Sequence, residues 1–235
     1  MKNLISLMVS IFLSGATLSV AARAQPVFES IKVSGDLPLT TDQSSAFWLH
    51  SRSIFADKDV QGKNVIGGRM EVRSRWSTDF LYFLFACPYK DLYLRPSPDT
   101  KKETYGLWDW DVAEVFIGAD FKDIQRYKEF EVSPQGEWVD LDVNLHNPHH
   151  EEGWVWNSGF EHAVRIDENQ HVWYAAMKIP MSALDSRPVA AGSTFRVNLF
   201  LSQGPPNRHR ELAWQAPLSS TFHVPERFGL LKLVP

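Results

Sequence analysis

The chain has 235 residues, 24 Lys and Arg against 28 Asp and Glu, a formal net charge of −4, nine tryptophans and one cysteine. With no basic block and a mildly acidic balance, nucleic acid and anionic membranes are poor partners. Cys87 rules out an internal disulfide, and within "LYFLFACP" it reads as a buried structural thiol rather than a nucleophile.

In chain order, an export pattern comes first. Lys2 supplies a positive start, Leu4 to Val20 is mostly apolar, and Ala22-Arg23-Ala24 has the small-x-small form of a cleavage site. We expect residues 1–24 to be a signal peptide. Its removal takes away Lys2 and Arg23 and moves the net charge from −4 to −6. No cysteine follows the cut, so no lipoprotein or membrane anchor is expected after cleavage, and the destination is periplasmic or secreted. Residues 25–235 have the size of one β-domain, large enough to form a core without disulfides.

Period-two alternation dominates the rest of the chain. "RMEVRSRW" sets Met70, Val72, Ser74 and Trp76 against Arg and Glu, and "FLYFLFACP" is apolar on both faces, as in a central strand. "EFEV" and "EWVDLDV" flank "SPQG", so Glu129 to Val143 is predicted to be a hairpin. "AVRI" and "VWYAAMKIP" flank "DENQ" as a second one, "PMSAL" suits a short helical turn, and "FRVNLFLS" and "FGLLKLV" are two late strands. Many short strands between turns predict one all-β domain, a two-sheet antiparallel β-sandwich of the jelly-roll or immunoglobulin-like kind.

"LWDWDVAEVF", Leu107 to Phe116, places two tryptophans and three acids at the entrance of one strand. Alternation puts Ala113, Val115 and Ile117 on one face, facing the core, and Val112, Glu114 and Phe116 on the other. Glu114 thus shares a face with the approach of Trp108 and Trp110. An acid beside aromatic rings suits sugar recognition. The C–H faces of a pyranose pack on an aromatic plane, while a carboxylate accepts charge-assisted hydrogen bonds from its hydroxyls. The plainer alternative makes the tryptophans core residues and pairs Glu114 with Arg69 or Arg73.

The order W-x-x-D-x-x-E-x-F-I, here Trp108, Asp111, Glu114, Phe116 and Ile117, resembles the family 9 carbohydrate-binding modules and their stand-alone exported bacterial relatives. "LYFLF", "YKEFEVSPQGEWVD", "VWYAAMKIP", "FRVNLF" and "LAWQAPLSSTFHVPERFGLLKLV" are similar to further family segments in the same order, from about Ala46 to Val234. The resemblance implies a β-sandwich in which two aromatic side chains clamp a terminal sugar. Carried over position by position, the clamp falls on Trp108 and Phe222, and the acid that accepts sugar hydroxyls on Glu114. The polar amide position falls on Asn198, a loop position on Ser219, and Trp110 and Asp111 support the rim. The ligand class implied is a mono- or oligosaccharide or a polysaccharide end, in polysaccharide use and carbohydrate catabolism beside a partner glycoside hydrolase. Three positions depart from the pattern: Phe222 stands for a Trp, Glu131 for an arginine donor, and Ala176 for a Glu. The family also holds structural calcium, for which Asp57, Asp59, Asp140 and Asp142 offer oxygen ligands without a strong calcium spacing. No other cofactor is assigned.

Other constellations carry weaker signals. "HNPHHEEGW" gathers His146, His149, His150, Glu151 and Glu152, but the spacing matches no established zinc pattern and reads as a solvated loop. "GPPNRHRE" reads as a connecting loop from which Arg208 or Arg210 would replace the missing donor. A second functional reading is a b-type haem electron-transfer domain, as in related sandwiches, with Met70, Met177, Lys178 or a histidine as axial ligands. A third is glycoside hydrolysis. It requires two carboxylates across a scissile bond, and Asp109, Asp111 and Glu114 precede or occupy a single strand.

Overall fold

The computed structural model describes residues 25–147 and 154–235; the expected leader, and His149, His150, Glu151 and Glu152, lie outside them. Twelve strands are formed among the described residues: β1 (Val27–Lys32), β2 (Ser53–Ala56), β3 (Met70–Trp76), β4 (Phe80–Pro88), β5 (Val112–Gly118), β6 (Arg126–Val132), β7 (Trp138–Asn144), β8 (Glu161–Asp167), β9 (Val172–Pro180), β10 (Thr194–Gln203), β11 (Arg210–Ala213) and β12 (Gly229–Val234). Two single-turn helices, α1 (Ala46–Leu49) and α2 (Met181–Leu184), accompany them. The β6–β7 and β8–β9 hairpins form where the turn chemistry places them. Gly136 takes φ 84° in the first turn, a left-handed conformation that costs glycine little.

Hydrogen bonding runs through the strands in the order β7-β6-β5-β10-β12-β1-β3-β4-β9-β8, with β11 beside β10 and β2 beside β3. This curled sheet folds into a sandwich. Pairing is antiparallel except at β1, which lies parallel to β12 over Val27–Ile31 and parallel to β3 at Ile31 and Lys32. One short strand therefore joins the two layers.

Three apolar layers result. The main core, between the layers, takes Val72, Phe83, Phe85, Ala175 and Met177 from one side and Ala113, Val115, Ile117, Val197, Leu199 and Leu231 from the other. A second cluster covers the outer face of β5, β6, β7 and β10, with Phe116, Tyr127, Leu141, Trp154, Phe200 and Phe228. A third, with Trp48, Tyr82, Leu84 and Tyr174, covers the outer face of the other layer. Cys87 is fully buried in the main core, where burial pushes its thiol well above the usual range.

The sequence reading missed β1, β2 and β11, each short and lacking a long alternating run. "GPPNRHRE" is not wholly a loop: a 3-10 turn spans Pro206–Arg208, and β11 begins at Arg210.

Candidate functional site

β5 sorts its residues as alternation predicts. Ala113, Val115 and Ile117 enter the main core; Val112 and Phe116 enter the outer cluster, and Glu114 shares their face. The site this creates lies on a sheet face, not at an end of the sandwich. It is a hollow of about 220 Å³ on the outer face of the β5–β6–β10 layer, under the loops before β5 and before β12. Trp108, Glu114 and Phe222 all line it, so these three positions, distant in sequence, meet in one pocket.

Each wall has a local cause. The chain before β5 makes a 3-10 turn over Leu107–Asp109, entered through Gly106 at φ 79°. Leu107 is buried below, leaving Trp108 half-buried against Tyr105, with centroids 5.0 Å apart and planes at 80°. Phe222 stacks on Phe200 of β10, centroids 4.1 Å and planes 5° apart. Trp154, anchored by its Nε1 donating to Asn144 O at 3.1 Å, and His223 complete the apolar side. His223 is stacked over Phe116 at 5.2 Å and is 2.6 Å from the Tyr127 hydroxyl through Nδ1.

The floor is acidic. Glu114 and Glu129 line the hollow and Glu131 lies behind them; each is at most 3% exposed. Ser202 Oγ donates to Glu114 Oε1 at 3.0 Å. Among the described residues, no hydrogen-bond donor reaches Glu129 Oε2 or either Glu131 oxygen. Burial, reinforced by the neighbouring charges, holds Glu114 and Glu131 well above the ordinary carboxyl range, and burial pushes Glu129 up to about 7. Arg73 pairs with Glu71 and Arg69 lies over the Phe55 ring, so neither serves Glu114.

The remaining expected positions stand apart from the lining. Asn198 is fully buried and its amide is committed to the backbone: Nδ2 donates to Gln215 O at 2.8 Å and Oδ1 accepts from Gln215 N at 3.0 Å. It anchors the segment leading to Phe222 and offers no group to the pocket. Ser219 lies outside the lining, its hydroxyl accepting from Thr221 N at 3.4 Å. Asp111 is fully buried and accepts from Tyr93 N at 3.0 Å and Gly204 N at 2.7 Å, tying two loops to the start of β5. Trp110 stacks on Tyr93, centroids 4.6 Å apart, in an adjoining groove whose shared wall is Trp108, His209 and Glu211. Of the two arginines considered as replacement donors, Arg210 donates to Gln203 Oε1 at 3.1 Å, and neither lines the hollow.

Sequence reasoning overlooked Glu129, Trp154, Ser202, His209, Glu211 and His223 in the lining. Glu129 and Glu131, two residues apart on β6, share a face. That this face meets Glu114 depends on the β5–β6 register, where Glu114 is directly opposite Glu131.

Among the described residues, no three of the aspartates considered for calcium gather in one cluster, and the side chains considered as haem ligands are divided between different partners. Asp140 accepts from Ser158 N, Asp142 pairs with Lys128, and Asp59 caps its own loop at Gln61 and Lys63. Met70 and Met177 pack in the main core, whereas Lys178 faces the other side of β9 and pairs with Asp36 and Glu161. His146 pairs with Asp123 at the surface. A larger open hollow lies at the far end of β5, and its walls carry matched pairs, Arg187 with Asp185 and Lys128 with Asp142.

An all-β sandwich with a hollow walled by aromatic rings and floored by carboxyls has the build of a small-ligand-binding domain. Residues 43–235 match the family described as carbohydrate family 9 binding domain-like, and the chain belongs to that family. The fold is similar to a family 9 carbohydrate-binding module from Caldicellulosiruptor kristjanssonii solved in complex with cellotriose (TM-score 0.62, 11% identity, covering 89% of this chain and 94% of that one). It is also similar to a putative carbohydrate-binding protein from Bacteroides uniformis (TM-score 0.66, 14% identity, covering 89% and 100%). In sequence the chain is 26% identical over 161 residues to an "Extracellular protein" of Arthroderma benhamiae, covering 62% of this chain and 69% of that protein.

Proposed function

We propose that this protein is an exported, non-catalytic carbohydrate-binding domain that holds one or two sugar units in the hollow between Trp108 and Phe222. The observation that carries the reading is the meeting of Trp108, Phe222 and the Glu114 carboxyl in one pocket on the outer sheet face. The rings supply apolar planes for the C–H faces of the sugar, and Glu114 and Glu129 supply acceptors for its hydroxyls. Family membership supports the ligand class, as do the cellotriose and glucose complexes of the Caldicellulosiruptor modules. The adjoining Trp110–Tyr93 groove would take a second unit. We place the protein in the periplasm or outside the cell, in polysaccharide use beside a partner hydrolase. The test is glycan-array binding run with a hydrolysis assay on the same glycans. Capture without turnover is expected. Turnover abolished by Glu114→Gln would make the chain an enzyme and overturn the reading.

A further inference from the structure

The floor of the pocket is built against its own electrostatics. Glu114 and Glu131 face each other across β5 and β6, and Glu129 is two residues along on the same face of β6. One oxygen from each lies within 4.8 Å of the others. Like charges directly opposite one another weaken a sheet, and a buried carboxylate without a counter-charge is costly. The charges that act on Glu114 and Glu131 come from other acids: Glu129 and Glu211 on Glu114, and Glu114, Glu129 and Asp109 on Glu131. Unmet oxygens remain on Glu129, which lines the hollow, and on Glu131 behind it, both residues more than nine-tenths buried.

We propose that Glu114, Glu129 and Glu131 hold an oxygen-preferring divalent cation, of the Ca²⁺ or Mn²⁺ kind, on the floor of the pocket, with its remaining coordination positions open to the hollow. An all-carboxylate set selects hard cations over zinc or copper. Three carboxylates present up to six oxygens, against the roughly six to eight that Ca²⁺ takes. Ser202, donating to Glu114 Oε1, fixes one ligand from behind. The site is separate from the four aspartates considered for structural calcium. An ion there would accept a pair of sugar hydroxyls as its outer ligands; that step rests on the sugar reading, whereas the ion site does not.

The experiment uses the full chain after chelator treatment. It is titrated with Tb³⁺, whose luminescence is sensitised by nearby tryptophan, here Trp108 and Trp154, and then with Ca²⁺ as competitor. We expect one ion per chain, displaced by Ca²⁺, with affinity weakened about tenfold to a hundredfold or more in Glu131→Gln. That variant removes charge without volume, so it should melt no lower than the parent in chelator. Glu168→Gln, at an exposed position, leaves binding unchanged. No saturable binding, or equal binding by the parent and Glu131→Gln, overturns the inference. Repeating glycan capture with and without chelator separates the two readings. Capture by a protein that binds no ion removes the cation and leaves the sugar; ion binding with no glycan captured does the reverse.

Discussion

Trp108, half-buried in the middle of a 3-10 turn, lines the hollow and packs only at the margin of the outer cluster. The Trp108→Ala variant should therefore lose about 1–3 kcal/mol of glycan affinity, the range for a buried aromatic contact, with its melting temperature nearly unchanged. Titration calorimetry on an array hit, with a parallel melt, checks both parts; an unfolded variant would return Trp108 to the core. Glu129 makes a second prediction. Its carboxyl has an ordinary value of 4.5 and is pushed up to about 7 in the fold. Between those values the folded protein keeps a proton that the unfolded chain has released. Stability should thus fall as pH rises through this window and return on acidification. The groups around it are Glu114, Glu131, Glu211, His209 and His223. The comparison is therefore a difference: in chelator, melting temperatures at pH 5.5 and pH 8 should differ less in Glu129→Gln than in the parent.

At the scale of elements, the site depends on two buried side chains that never touch the ligand space. Asp111 holds the loops at Tyr93 and Gly204, and the Asp111→Ala variant strands two backbone N–H groups, each worth about 1–3 kcal/mol. It should lower the melting temperature and weaken glycan capture together, because the stacked Trp110–Tyr93 pair shifts with the loop. Asn198→Ala should likewise loosen the segment beginning at Gln215, and hydrogen exchange at residues 215–223 should rise. The strand–turn–strand units, the two faces of β5 and the meeting of Trp108, Glu114 and Phe222 were readable because they arise from alternation, turn residues and family order. The role of Asn198 was not. A buried amide reads the same in sequence whether its partner is a ligand or a backbone carbonyl seventeen residues away. The acidic floor also escaped, because it exists only once β5 and β6 adopt their register. Replacing an arginine with Glu131 looks like a missing donor until Glu114 is seen across from it.

At the scale of the whole molecule, the two layers share β1, whose start lies along β12 and whose end lies along β3. The joint is tight. A Cβ at Gly229 would fall 2.5 Å from the Trp214 ring and 2.9 Å from Pro26 O. The Gly229→Ala variant should then cost about 1–3 kcal/mol through overpacking, read as a lower urea midpoint with an unchanged slope. The same joint bears on how the molecule is made. β12 is inserted between β10 and β1, so a nascent chain whose β12 has not yet emerged has raw strand edges on β10 and β1 that the folded protein covers. Synthesis from the N-terminus leaves that seam open until β12 has emerged, and cooperative closure of the two layers waits for that strand. A partly delivered chain would be sticky along β1 and β10, and a holdase that shields those edges would be its natural escort.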